Sequence, residues 1–418
     1  MMAPTTGRLP QMARQDHPTE RQAEPRRLTA LAGAQDPDYQ GGSIVNLMAS
    51  VMNARGGRSG HAPLRLLPSE ELSEATNILL LVIDGLGARY LQRVSPDGPI
   101  ATNLRGVITS VFPPTTAAAI TTFLTGDAPQ QHAVPGWFTY FRELGCVMTV
   151  LTGQPRYGGV PYGKAKIDAG KLFRHRSLFD RVEDRTILVS PAHIARSDFN
   201  LAHLGRAELL TFKSLPQMFA GALGALRSDQ RRKLLYLYWP KLDGIGHEKG
   251  IESAAARAHL RLIEQRLADF LAAAAGTDTI LLVTADHGQI DTVEADRIQL
   301  ADHAALAQTL LLPLCGEPRA AFCYVRPDQA DAFEHYCRDQ LGDRLDLWRS
   351  RDLIEQGLFG AGEPHPGLHE RVGDYCLLAR DNHVIQDSLP FEKPHTQIGV
   401  HGGLSDAELM VPLSLFRL

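Results

Sequence analysis

Four short, almost purely apolar runs constrain the fold of this chain more than any other feature: NILLLVI (Asn77 to Ile83), TILVS (Thr186 to Ser190), LLYLYW (Leu234 to Trp239) and TILLVT (Thr279 to Thr284). A strand with one wet face alternates apolar with polar residues. A strand that does not alternate is covered on both faces, as in a parallel sheet layered by helices. Between the last two runs, Leu260, Ile263, Leu267, Phe270 and Leu271 recur on one face of a helical segment. Strand, helix, strand in that order is a βαβ unit. The expected fold class is α/β, a sheet covered by helices on both faces.

At 418 residues the chain is too long for one ordinary core, so a large domain with a smaller companion is expected. Residues 318–385 have a different rhythm. AAFCYVR, LDLWR and GDYCLLAR read as short strands and PDQADAFEHYCRDQLG as a helix. They form an expected α+β cap inserted into a main domain made of 37–317 and 386–418. Ordered structure is expected to begin near the helix SIVNLMASVMNA, with Ser43 as its cap. Residues 1–36 are polar and punctuated by proline, and a disordered tail is expected there. They lack the apolar centre of a signal peptide, and no run of about 18 apolar residues follows to span a membrane. Cytoplasmic residence is the resulting expectation. The net charge of -4 provides no general attraction to a nucleic-acid polymer or an anionic membrane. Five cysteines, an odd number without a CxxC pair, read as reduced, mostly buried thiols.

The chemistry sits where apolar runs end. Asp84 follows Ile83 in VIDGLG, and in open α/β sheets ligands bind beyond the carboxyl ends of strands. A metal ligand and a simple turn or capping aspartate both fit that position. In DGIGH, Asp243 and His247 stand four apart, the spacing at which a helix sets two side chains on one face. Gly244 and Gly246 leave a loop open as well, and a surface ion pair is the plainer alternative. In TADHG, the adjacent Asp286 and His287 converge on one site only if the strand breaks there, and Gly288 offers the break. His401, among glycines in GVHGG, is weak by itself. Together, three aspartates and three histidines suit borderline divalent ions such as Zn²⁺. In FPPTTAAAITTFLTG, prolines stop a strand and a small-residue run can helicise, which puts Thr115 and Thr116 at a helix N-terminus. Such a terminus favours an anion, or uses its threonines merely as caps.

Read in order, VIDGLG, PPTTAAAITTFLTG, DGIGH, TADHG and GVHGGLSDAELMVPL resemble the alkaline phosphatase superfamily, and within it the type I phosphodiesterase and nucleotide pyrophosphatase family. The likeness covers about residues 77–300 and 395–418. It implies an alkaline-phosphatase-like fold and two divalent ions, Zn²⁺ foremost with Mn²⁺ as the alternative. It assigns Asp243, His247 and His401 to one ion, and Asp84, Asp286 and His287 to the other, with the Thr116 oxygen bridging toward the latter. Thr116 is preferred to Thr115 because relatives place the nucleophile ten residues before the glycine of a TG pair, here Gly126. The implied reaction is hydrolysis of a small phosphate ester, a nucleotide among the candidates, by two in-line displacements at phosphorus.

Two features depart from the family pattern. Nucleotide pyrophosphatases carry an asparagine about twenty residues after the nucleophile, where this chain has Gly136 and Trp137. The sulfatase motif is not met by Cys315-Gly-Glu-Pro-Arg319, whose proline comes one place late. Trp137, Phe138 and Tyr140 are candidates for a surface under an ester substituent, or else for packing the cap. Arg156 and Lys164 are the candidates for reaching a phosphoryl group. Phosphomonoester or phosphonate hydrolysis on the same scaffold is the nearer alternative, and a phosphoglycerate-mutase-like isomerase or a noncatalytic binding protein the more remote.

Overall fold

The computed structural model describes residues 35–390, 392 and 396–418. The expected tail lies outside the described residues except at its last two positions, where the Gln35 N–H donates to the Leu404 carbonyl. In chain order the first nine strands are β1 (Asn77–Ile83), β2 (Leu104–Thr109), β3 (Phe138–Phe141), β4 (Cys146–Thr149), β5 (Gln154–Pro155), β6 (Arg185–Pro191), β7 (Glu208–Phe212), β8 (Lys233–Trp239) and β9 (Thr279–Thr284).

Seven strands build the main sheet, in the order β2, the C-terminal strand Met410–Arg417, β9, β1, β8, β6, β7. The run from β9 to β7 is parallel. The C-terminal strand is antiparallel to both its neighbours. Every residue of β1, β8 and β9 is buried, which is why these sequences do not alternate. Each fully buried Leu or Ile there contributes about 1.5–3 kcal/mol. The register pairs Ile83 with Trp239 and Val82 with Thr284, so three central strands end level, side by side. The helix Ala254–Ala274 buries Leu260, Ile263, Leu267 and Phe270, and Ser253 caps it by accepting from the Ala256 N–H. At the first helix, Ile44–Ala54, Ser43 is the N-cap residue as expected, in a capping box with Asn46. The Ser43 N–H and hydroxyl both donate to Asn46 Oδ1.

A second, wholly antiparallel sheet of seven strands runs Leu345–Arg349, Tyr375–Ala379, Ala320–Cys323, Cys315–Glu317, β3, β4, β5. This corrects the expected cap of 318–385, because β3 to β5 come from well before it and join through Phe138 paired with Gly316. Its own core gathers Phe112, Phe322, Phe359 and Leu368. All five cysteines are free. Among the described residues, no helix is long and apolar enough to cross a membrane.

Candidate metal centre and nucleophile helix

The level ends of β1, β8 and β9 bring three motifs together. The Asp84 N–H donates to the Trp239 carbonyl at 3.0 Å, and its own carbonyl accepts from the Asp243 N–H at 3.1 Å. The DGIGH segment is helical after all, within Lys241–Lys249, so Asp243 and His247 share a face with His247 Nε2 3.2 Å from Asp243 Oδ2. Gly246 is there for close approach, since a Cβ would lie 1.8 Å from Gln289 Oε1. Beyond β9 the chain breaks as expected at Gly288, where a Cβ would meet the Ala407 carbonyl at 2.0 Å. His287 and Asp286 turn inward and are fully buried.

The six sequence-predicted side chains fall into two sets. Ligand atoms of Asp243, His247 and His401 lie within 4.8 Å of one another, and so do those of Asp84, Asp286 and His287. The sets adjoin, with the His287 and His401 rings stacked 3.8 Å apart.

The hydrogen bonds around the sets leave their acceptors facing each other. His287 Nδ1 meets the Gly288 carbonyl at 3.0 Å and His247 Nδ1 meets the Gly399 carbonyl at 2.7 Å. A carbonyl only accepts, so each Nδ1 carries a proton and Nε2 is the ring nitrogen turned toward the carboxylates. His287 Nε2 lies 3.4 Å from Asp84 Oδ1 and 3.5 Å from Asp286 Oδ2. Those two carboxylate oxygens and His401 Nδ1 are buried without a hydrogen-bond partner. Such an arrangement costs several kcal/mol unless a cation sits among the acceptors, and the nitrogen and oxygen donors fit divalent ions of the zinc kind.

Electrostatics agree with the geometry. Burial, then the Asp286 and Asp243 carboxylates, push the Asp84 carboxyl well above its usual range. Burial raises Asp286 too, with Asp243 adding to it against the pull of His287. Burial disfavours charge on His247, but Asp243 outweighs it and the imidazole is raised to about 9. Burial and then His287 hold His401 well below the ordinary histidine value.

Thr116 opens the helix Thr116–Thr125, and its Oγ1 lies 3.1 Å from His287 Nε2. Thr115 is the N-cap residue, but its side chain makes no capping bond. Its hydroxyl donates instead to Glu317 Oε1 at 2.6 Å, correcting the expected cap role. The same Glu317 oxygen accepts from the Trp137 N–H at 2.7 Å, and burial pushes the carboxyl up to about 7.

Two cavities meet at Thr116. One, of about 260 Å³, lies toward the second sheet and is lined by Trp137, Phe138, Glu317, Gln386 and His401 among others. The other, of about 500 Å³, is walled by Ile120, Leu188, Phe199, Tyr236 and Asp84. Thr116, Trp137 and Asp243 line both. Tyr140 lines neither and packs edge-on against Tyr324. Arg156 reaches the smaller cavity, but Asp387 and Glu392 hold its guanidinium. Lys164 is exposed and lines neither cavity.

Sequence reasoning missed three supporting groups. The Tyr238 hydroxyl donates to Asp84 Oδ2, and the Gln289 amide donates to Asp243 Oδ1 and, at 3.2 Å, to the Asp243 carbonyl. The third is Glu317. Gln289 follows TADHG directly and was findable by its position, whereas the other two carry no local signal.

A parallel sheet whose strand ends gather two such ligand sets beside a hydroxyl at a helix N-terminus is the architecture of the alkaline phosphatase superfamily, here in a hydrolase of phosphate esters. The match over residues 78–403 narrows this further: the chain belongs to the type I phosphodiesterase / nucleotide pyrophosphatase family. That family is typically dependent on a pair of metal ions. Among solved structures, murine ectonucleotide pyrophosphatase / phosphodiesterase 5 superposes with a TM-score of 0.61 at 16% identity, covering 81% of this chain and 87% of that one. A further structure of the murine protein is an inactive variant in complex with AMP. Phosphonoacetate hydrolase from Sinorhizobium meliloti 1021, in complex with phosphonoformate, gives 0.57 at 18% identity, covering 82% and 91%. At these identities the likeness is one of fold. Comparison with curated protein sequences gives no match.

Proposed function

We propose that the chain hydrolyses phosphodiester or pyrophosphate bonds through a phospho-threonine intermediate on Thr116. Asp243, His247 and His401 would hold one divalent ion, and Asp84, Asp286 and His287, with the Thr116 oxygen, the other. Zn²⁺ fits this donor set best. Bound there, the ions supply Lewis-acid stabilisation of phosphoryl charge and lower the pKa of a coordinated hydroxyl. The helix N-terminus adds amides directed at phosphate oxygens. Thr116 Oγ1 forms a bond to phosphorus as one ester oxygen leaves and takes up a proton. Water then attacks the phospho-threonine, restores the Thr116 hydroxyl and releases the second product.

The observation that carries the diester reading is the pair of cavities converging on Thr116. A diester or pyrophosphate has two substituents to house, and a monoester has one. Charge points the same way. A monoester brings a dianion, and Arg156, the one lysine or arginine lining either cavity among the described residues, already serves Asp387 and Glu392. AMP in the murine relative supports a small substrate, with a nucleotide among the candidates. The test is kcat/KM for p-nitrophenyl phosphate against a nucleoside p-nitrophenyl diester, with Zn²⁺ or Mn²⁺ supplied. The diester is expected to be favoured at least about tenfold, roughly 1.4 kcal/mol in the barrier. A monoester advantage of that size overturns the diester reading and favours a phosphomonoesterase.

A further inference from the structure

One side chain in the smaller cavity has no part in the hydrolysis described above. Gln386 ends the short strand Val384–Gln386, which pairs in parallel with Arg297–Gln299, and is only 4% exposed. It lines the cavity that reaches Thr116. Neither its amide nitrogen nor its amide oxygen has a hydrogen-bond partner. A primary amide offers two donors and an acceptor oxygen, and leaving both ends unpaired in a buried setting is destabilising and uncommon. The apolar part of the cavity's lining includes Trp137, Phe138, Leu314, Ile385 and Val400. The Arg156 guanidinium lies 4.0 Å above the Phe138 ring, so that ring is backed and held in place. At about 260 Å³ the cavity falls below the ~300–1,000 Å³ of sites that enclose whole small ligands. One ring fits that space better than a long chain.

We propose that Gln386 is a specificity residue that reads an adjacent donor and acceptor on a planar ring of the substrate, with the ring lying against Trp137 and Phe138. The inference rests on the diester reading, because the ring is one of the two ester substituents. Its force is rejection. A ligand that cannot complete the amide leaves it buried and unpaired, and buried polar sites discriminate strongly against analogues lacking the matching group.

The test uses the full chain with metal supplied. Turnover of bis(p-nitrophenyl) phosphate is inhibited with thymidine 5′-monophosphate, with its N3-methyl derivative and with abasic 2-deoxyribose 5-phosphate. The three share one phosphate group, and N3-methylation keeps the ring while removing the donor at its edge. In the wild type, N3-methylation is expected to raise Ki at least tenfold, and loss of the ring to raise it further. In Gln386→Leu, checked for folding by its thermal melt, thymidine and N3-methylthymidine monophosphates are expected to inhibit alike. Equal inhibition by those two in the wild type overturns the inference whether or not the variant folds. So does a folded Gln386→Leu that still discriminates. If bis(p-nitrophenyl) phosphate is not turned over, the diester reading fails by itself. The three ligands are then compared by calorimetric titration, and the same tenfold criterion decides the role of Gln386.

Discussion

Two adjacent threonines have different work because one hydroxyl faces the ligand sets and the other faces the second sheet. Thr116 Oγ1 lies 3.1 Å from His287 Nε2, while the Thr115 hydroxyl is committed to buried Glu317. Thr116→Ala is therefore expected to lower kcat by on the order of 10³ or more with metal content unchanged by elemental analysis. Thr115→Ala removes a donor from a buried carboxylate, and should cost about 1–3 kcal/mol of stability with much the smaller effect on kcat. A larger kcat loss in Thr115→Ala would reverse the assignment. Asp286 allows a second test. Its Oδ1 accepts from the Gly85 and His287 N–H groups, and its Oδ2 has no partner. Asp286→Asn keeps the first two bonds and removes buried like-charge repulsion from Asp84 and Asp243. The metal-free variant is expected to melt higher than metal-free wild type, yet to lose turnover and bound metal. An unchanged or lower melting temperature would mean that the carboxylate is not strained without its cation. The ligands themselves were legible in the sequence because charged residues directly after apolar runs are expensive to bury. Tyr238 was not, since inside LLYLYW it reads as core, and Glu317 was not, since its partners Thr115 and Trp137 are far away in the chain.

At the scale of elements, the helix Lys241–Lys249 shows how far local propensity carries. Two glycines in nine residues argue for a loop, because each costs a helix about 1 kcal/mol relative to alanine. The fold overrides this at Gly246, where a Cβ would clash with the Gln289 side chain that is itself bonded to Asp243. Gly244 is exposed, and a Cβ there meets nothing within 4 Å. Opposite outcomes are expected from the same change. Gly244→Ala should raise the melting temperature, by up to about 1 kcal/mol in stability, with turnover retained. Gly246→Ala should displace the helix, weaken metal binding and cut kcat/KM. Equal effects in the two variants, read by melting and elemental analysis, would show that propensity rather than packing governs this helix. The second sheet was only partly legible for a related reason. FTYF is half-buried and pairs with a strand far along the chain, and short strands joined over such distances leave no periodic signal near either partner. The main-sheet strands were legible because burial on both faces writes itself into each one separately.

At the scale of the whole molecule, the candidate metal ligands run from Asp84 to His401, so the centre links most of the length of the described chain. Asp84, Asp243 and Asp286 follow three neighbouring strands of one sheet, while His401 arrives through the antiparallel pairing of Ile290–Asp291 with Gly399–Val400. Two consequences separate here. The sheet has its own apolar core, with β1, β8 and β9 fully buried, and does not need a cation to form. The ligand sets, by contrast, hold unpaired buried acceptors that only a cation or protons relieve. Exhaustive chelation is therefore expected to abolish turnover while far-ultraviolet circular dichroism stays native. The melting temperature should fall, because an ion that binds only the folded state at a hundred times its Kd contributes about 2.7 kcal/mol per site. Returning Zn²⁺ or Mn²⁺ should restore both turnover and melting temperature, with saturation near two ions per chain. Full activity in protein shown by elemental analysis to be metal-free would remove the basis for assigning these six residues to cations. Loss of circular dichroism on chelation would instead show that the centre, and not the apolar sheet, holds the fold together.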